Sequence, residues 1–263
     1  MSSPSDLTEI PGERPLVRLE RAPPVARLTL NRPAKYNVLS AATIEALIGA
    51  LAELARDDSV RVIVLAAEGK AFSAGHDLGE MGAQCSLDGF RSLFARCGEL
   101  MLAIQRQPQP VVARVQGVAT AAGCQLVAMC DLAVASETAR FAVSGINLGL
   151  FCATPSVALS RNVHRKQALE MLLTGEFIDA ATACQRGLVN RVVAADELDA
   201  ELARLCAVIA AKSPAAIAAG KRLFYRQLEV GIEAAYELAA EAMACNAVAP
   251  DARRGIATFT KRS

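Results

Sequence analysis

The chain has 263 residues, of which 53% are apolar and 21% charged, enough to build a sizeable core, and this excludes wholesale disorder. A net charge of +1 provides no global basic field for nucleic acid, so an anionic ligand has to be held by local groups. Eight cysteines form no C-x-x-C pair and stand beside only two histidines, His76 and His164, which argues against zinc or another bound metal.

Several of these cysteines, Cys124 and Cys130 among them, sit between Ala, Leu and Met, where a thiol serves as a small hydrophobe; a reducing compartment follows. Residues 1–14 read as a loose polar lead-in carrying Asp6, Glu9 and Glu13, without the apolar segment of a secretory signal and too acidic for a transit peptide. No apolar run reaches membrane-spanning length, so the expectation is a cytoplasmic protein with no membrane partner.

Leu16–Glu20 and Val25–Leu30 alternate apolar and polar residues around Pro23-Pro24 and predict an antiparallel hairpin, which Asn31-Arg32-Pro33 ends. Ser40 is placed to cap a helix over 41–56, where Ile44, Leu47, Ile48, Leu51 and Leu54 recur at helical spacing. The β-branched run from Val60 to Ala66 predicts a strand, followed by a loop over 67–78. The pattern then repeats: a helix over 88–106, a strand over 111–115, a turn at Gly117, and a helix that opens at Ala119 and runs to Met129. A strand over 131–135, an extended Gly-punctuated stretch over 141–149, helices near 154–161, 165–173 and 179–186, and a strand over 188–193 complete this part. From Asp196 onward three Ala-rich helical stretches are expected, over 196–212, 214–229 and 231–247, with Pro214 in a first turn. The organisation is a strand/helix core over 15–195 and a helical region over 196–263 that packs on the core and on a neighbouring subunit.

Two stretches share one physical shape, a buried strand running into a loop of small residues: Ala71 to Asp77, and Gly117 to Gln125. Small side chains let a ligand approach the backbone, and a helix start offers unpaired N–H groups. One N–H from each stretch on a single oxygen would stabilise a developing enolate.

Asn31-Arg32-Pro33, Ala71 through Leu78, Gly117 through Asp131, Leu172-Leu173-Thr174-Gly175-Glu176 with Ala180, and Gly187-Leu188-Val189 resemble the crotonase (enoyl-CoA hydratase/isomerase) superfamily, over residues 15 to 260. The 119–125 stretch with Phe151-Cys152 is similar to its enoyl-CoA hydratase domain-containing protein 3 group. The resemblance implies an α/β spiral of repeated ββα units, a C-terminal helical trimerisation region, and a homotrimer or a dimer of trimers. It implies an acyl-CoA thioester as ligand, with coenzyme A entering as part of the substrate and no tightly bound cofactor. By position, the oxyanion donors would be the N–H groups of His76 and Ala122. Substrate contacts would fall on Lys35, Tyr36, Ala74, Asp77, Leu78, Thr120 and Cys152, and on Phe259 and Lys261 in a tail reaching a neighbour's CoA.

The chain departs from this family where its hydratases carry two glutamates, because the matching residues here are Gln125 and Gly145. Neither transfers a proton near neutral pH. The resemblance therefore leaves hydration open to weakening. Its alternatives are decarboxylation of a malonyl- or methylmalonyl-type thioester, with His76 orienting the carboxylate or protonating carbon, and acyl-CoA binding without turnover. Glu80 is a carboxylate that could swing in for the missing pair. Asp77 reads as a brace of its loop, Ser144 lacks the G-x-S-x-G context of a hydrolase, and His164 reads as a surface residue.

Overall fold

The computed structural model describes residues 15–83 and 86–261; the lead-in over 1–14 and Cys85 lie outside the described residues. Strands β1 (Val17–Ala22) and β2 (Val25–Leu30) form the expected hairpin, Val17 opposite Leu30 and Ala22 opposite Val25. Ser40 caps helix α1 (Ala41–Leu54), its Oγ accepting the Thr43 N–H at 3.2 Å. Strand β3 (Val62–Ala67) is followed by a three-residue strand β4 (Ala71–Ser73), a short helix α2 (Leu78–Ala83) and the long helix α3 (Leu87–Arg106), capped by Ser86. The unit recurs as β5 (Val111–Val115), β6 (Val118–Thr120) and α4 (Ala122–Met129). It recurs again as β7 (Leu132–Ser136), β8 (Arg140–Ala142) and, after a 3-10 turn over Ser144–Leu148, α5 (Ala153–Asn162). Then come α6 (Arg165–Thr174), β9 (Ile178–Asp179), α7 (Ala180–Gln185) and β10 (Arg191–Val193). Four helices close the chain: α8 (Leu198–Ala210), α9 (Pro214–Gln227), α10 (Ile232–Ala247) and α11 (Pro250–Thr260).

The longer strands build a six-stranded sheet in the order β1-β2-β3-β5-β7-β10, and the short ones a four-stranded sheet in the order β4-β6-β8-β9. Each ββα unit thus adds one strand to each sheet before its helix turns back. All six residues of β3 are buried because both faces of the larger sheet are covered. Ile63, Leu65 and Ala67 join the main core with α1 and α3, whereas Val62, Val64 and Ala66 pack with Leu198, Leu202, Leu205 and Cys206 of α8.

The structure corrects several sequence expectations. The segment 67–78 holds β4 and the start of α2 rather than only a loop, and α4 opens at Ala122, preceded by β6, rather than at Ala119. The 141–149 stretch is a short strand followed by a 3-10 turn, the strand after Leu188 is confined to Arg191–Val193, and a fourth C-terminal helix, α11, follows the three expected. Strands of three residues are too short to express a period of two, so only pairing in the second sheet reveals them. No single described helix is long and apolar enough to cross a membrane.

One polar latch ties α9 to the core. Lys221 Nζ lies 2.6 Å from Asp131 Oδ2 and donates to the Ile104 and Gln109 carbonyls, each at 3.1 Å. Asp131 also accepts the Val111 N–H at 2.7 Å and the Tyr225 hydroxyl at 2.8 Å. Burial pulls the Lys221 pKa down while Asp131 pulls it back up. Lys221→Met leaves a partly buried carboxylate with two of its bonds and no ion-pair partner among the described residues. The expected loss is about 3 kcal/mol, read as a lower urea midpoint at unchanged m-value.

Candidate functional site

The Asn-Arg-Pro turn is the first positioning element. Pro33–Lys35 make one 3-10 turn, after which Tyr36 and Asn37 take left-handed φ values of 52° and 53°. Asn tolerates this conformation, and the Asn37 side chain makes it rigid: Nδ2 donates to the Glu68 and Ala71 carbonyls at 2.8 and 2.9 Å, and Oδ1 accepts the Arg32 N–H at 2.9 Å. The Ala74 N–H donates to the Tyr36 carbonyl at 2.9 Å, and Ser73 Oγ donates to the Asn37 carbonyl at 2.8 Å. Exposed Lys35 and Tyr36 therefore stand beside Ala74, with Lys70 Nζ 5.2 Å above the Tyr36 ring. Sequence reading missed Asn37, Ser73 and Lys70; the available signal was an Asn directly after the turn.

Leu39 orients the first donor stretch. Its N–H donates to the Gly75 carbonyl at 2.8 Å, and its carbonyl accepts the Asp77 N–H at 3.4 Å, a parallel bridge that brackets His76. In such a bridge the bracketed residue turns its own N–H away from the partner. Gly75, at φ +89°, lies against the second stretch: a methyl there would meet Ala121 Cβ at 2.9 Å, Ala122 N at 3.0 Å and the Thr120 carbonyl at 3.1 Å. The two small-residue loops thus touch, which sequence separation alone does not require.

Ala122 begins α4, and its N–H is one that no preceding turn accepts; no side chain caps this end. The residue before it, Ala121, has φ 50° and ψ −122°, a region that suits glycine and costs an L-residue about 1–3 kcal/mol. Its own N–H is anchored on the Ala142 carbonyl at 3.0 Å. Thr120 Oγ1 and Ser144 Oγ share a hydrogen bond of 2.8 Å, which joins the 144–148 turn to this strand end.

Gln125 is 4% exposed, and its Oε1 lies 4.0 Å from the Cys97 thiol on α3. Gly145 is closed to any side chain, because a methyl there would come 2.7 Å from Cys152 Sγ and 2.7 Å from the Leu150 carbonyl. Cys152 is buried at the N-cap of α5. Asp77 Oδ1 accepts the Gly79 N–H at 3.0 Å and its other oxygen faces Arg32 at 3.8 Å, so it braces its loop. Glu80 Oε2 accepts the Ala41 N–H at 2.9 Å at the start of α1. The structure thus gives Glu80 a capping task rather than a place for a missing glutamate. Leu78 is exposed, and so are Phe259 and Lys261, which the structure groups with the C-terminal helices, α11 packing on α10. Among the described residues no cluster of three or more His, Cys, Asp or Glu could hold a metal ion.

The His76 ring meets Phe94 edge-on at 5.5 Å between centroids, and its buried Nε2 finds no partner among the described residues. Burial lowers its pKa from 6.5 to about 4, so the imidazole is neutral near pH 7, against the expectation that it protonates carbon. The sign of the pH effect follows. Between pH 6.5 and 4 the unfolded chain binds the proton that folded His76 refuses, so stability is complete above the upper value and falls as pH drops. The loss reaches about 3 kcal/mol at the acid end. His76→Gln removes this contribution, and urea midpoints taken from pH 7 to 4.5 should fall less steeply than in the wild type.

Stacked ββα units over two sheets, with two small-residue strand ends meeting at a helix start, define the architecture of crotonase-fold acyl-CoA enzymes. The family description "Enoyl-CoA hydratase/isomerase" matches residues 20–263, and the chain belongs to that family. It is 44% identical over 248 residues to "Enoyl-CoA hydratase domain-containing protein 3, mitochondrial" of Xenopus laevis, covering 94% of this chain and 84% of the relative. The crystal structure of an enoyl-CoA hydratase from Mycobacterium smegmatis is 59% identical, with a TM-score of 0.93 over 95% of this chain and 97% of that one. That of human enoyl-CoA hydratase domain-containing protein 3 is 42% identical, with a TM-score of 0.91 over 95% and 98%. Family membership places the chain among acyl-CoA-processing enzymes of the hydro-lyase type. The cytoplasmic expectation is overturned: the Xenopus relative and its rat, mouse, human and zebrafish counterparts are described as mitochondrial.

Proposed function

We propose that the chain acts on an acyl-CoA thioester through an enolate whose oxygen is bound by the N–H groups of His76 and Ala122. The observation that carries this reading is the closeness of Gly75 to Ala122 N, where a methyl on the glycine would stand 3.0 Å from that nitrogen, supported by the bridge to Leu39 that turns the His76 N–H away from Leu39. Such donors strengthen as charge develops on the oxygen, so they favour the transition state over the bound substrate. Lys35, Tyr36 and Ala74 receive the CoA portion, Leu78, Thr120 and Cys152 border the acyl portion, and no resident cofactor takes part. Residues 15–195 form the catalytic core. Residues 196–263 mediate assembly into a trimer or a dimer of trimers, where Phe259 and Lys261 reach a neighbour's CoA. Ile232, Tyr236, Met243 and Phe259, each more than 70% exposed, support an assembly role.

Crotonyl-CoA hydration is the direct test. Turnover by the wild type above that of a variant lacking the Ala122 donor is expected; equal turnover removes the reading. A second reading, decarboxylation of malonyl- or methylmalonyl-CoA, is favoured by the engagement of Asp77 and Glu80 elsewhere and by the absence of a carboxylate at 125 and 145. Loss of CO₂ forms the enolate without a base, and CO₂ release from either thioester distinguishes this reaction. Calorimetric binding without any product would make the chain an acyl-CoA-binding protein.

A further inference from the structure

Gln125 stands one turn into α4, where its N–H closes a helical hydrogen bond on the Ala121 carbonyl at 3.1 Å. Residues three apart share one face of a helix, and the Cα–Cβ bond tilts toward the N-terminus. The Gln125 side chain therefore leans over the turn that begins at Ala122, the turn against which the Gly75 backbone is pressed. That an acyl α-carbon comes to rest beside this turn rests on the enolate reading above.

The residue is 4% exposed, yet only one end of its carboxamide is engaged. Cys97, fully buried on α3, donates its thiol proton to Gln125 Oε1 at 4.0 Å. Burial pushes the Cys97 thiol up to about 12, so the sulfur keeps its proton and the amide oxygen is the end that faces it. Nε2 is left as the free end. It has no hydrogen-bond partner among the described residues and, unlike the His76 Nε2, it keeps an opening to the outside. Buried polar groups are as a rule paired, so an amide with two unspent N–H groups in this position is a donor waiting for an acceptor.

The chemistry of the acceptor follows from its surroundings. An N–H donor cannot take a proton from water, and bonding to the water oxygen occupies a lone pair that would attack. A carboxylate offers two acceptor oxygens, and its charge is favoured by the positive end of α4, which no side chain caps. Protein carboxylates do not compete for the amide: Asp77 Oδ1 accepts the Gly79 N–H, and Glu80 Oε2 accepts the Ala41 N–H.

We propose that the Gln125 amide is the specificity-determining donor for a carboxylate carried on the acyl group, so that malonyl-type thioesters are bound in preference to simple acyl thioesters. The thioester oxygen lies between the two backbone amides while a carboxylate oxygen accepts from Nε2. The bond to the carboxylate is already made in the bound substrate, so it acts on KM more than on kcat.

The test compares malonyl-CoA with butyryl-CoA, alike in chain size but not in charge, on the full-length wild type, Gln125→Leu and Gln125→Glu. Binding is measured by calorimetry and acetyl-CoA formation by mass spectrometry; where acetyl-CoA forms, KM takes the place of Kd. The wild type is expected to favour malonyl-CoA. Gln125→Leu should weaken malonyl-CoA by about tenfold or more, the loss of one hydrogen bond to a charged group, with butyryl-CoA within about threefold. Gln125→Glu retains the size and sets a like charge against the ligand, so malonyl-CoA should weaken by about 10²-fold while butyryl-CoA again changes little. A purely structural role would move both ligands together, so the ratio of the two affinities is the readout. A wild type that favours butyryl-CoA, or variants with an unchanged ratio, overturns the assignment while the enolate reading, tested with crotonyl-CoA, stands. A wild type that binds neither thioester overturns both. If the leucine variant does not fold, the near-isosteric glutamate variant decides by the same ratio.

Discussion

Ala122→Pro should lower turnover of the thioester substrate by about 10²- to 10³-fold, the usual cost of removing one oxyanion donor, with a lower melting temperature as well. Residue 122 is the first residue of α4, where proline's fixed φ is already suited and the N–H has no intrahelical partner to lose. The ring further restricts Ala121, already strained at φ 50° and ψ −122°, and crowds the Gly75 backbone beside the Ala122 nitrogen, so calorimetric binding is needed to separate loss of the donor from loss of fold. Binding of a ground-state CoA thioester, measured by calorimetry, should weaken far less than kcat/KM, because the donor acts mainly on developing charge. A variant that keeps its rate within about threefold would show that this N–H plays no part in catalysis.

Gly123→Ala is expected to destabilise the fold by about 4 kcal/mol, a cost at the extreme for one methyl. The added carbon would stand 2.3 Å from the Ser73 carbonyl oxygen and 2.8 Å from the Ser73 carbonyl carbon. Both are backbone atoms of β4, so no rotamer change relieves the overlap, and α4 must move off the strand. The shift in melting temperature should be about 10 °C for a chain of this size. Activity should fall with it, because β4 carries the loop to His76 while the same helix starts at Ala122. A variant of normal stability would mean that α4 does not press on β4 as closely as described.

Much of the fold was legible in the sequence because its longer elements declare a period. The hairpin alternates, α1 and α3 carry their apolar residues at helical spacing, and Ser40 and Pro214 stand where a cap and a first turn belong. β4, β6 and β8 were missed because three residues do not make a pattern; the partners in the second sheet make them strands. Asn37 has no distinctive spacing, and its importance emerges only when its side chain is seen to bind three backbone groups from separate positions.

The candidate site divides in the same way. Composition and local spacing pointed to two runs of small residues, and a resemblance to a known family ordered them. The sequence itself determined that no carboxylate stands at 125 or 145, since residue identity needs no coordinates. Only the tertiary structure decided that Gly75 and Ala122 touch, that Glu80 is spent on the start of α1, that burial keeps His76 neutral, and that the Cys152 sulfur fills the space beside Gly145. The physical reason is range. Periodicity, caps and turn chemistry act over a few neighbouring residues, whereas desolvation and close backbone approach depend on segments that the chain brings together only after both sheets have formed.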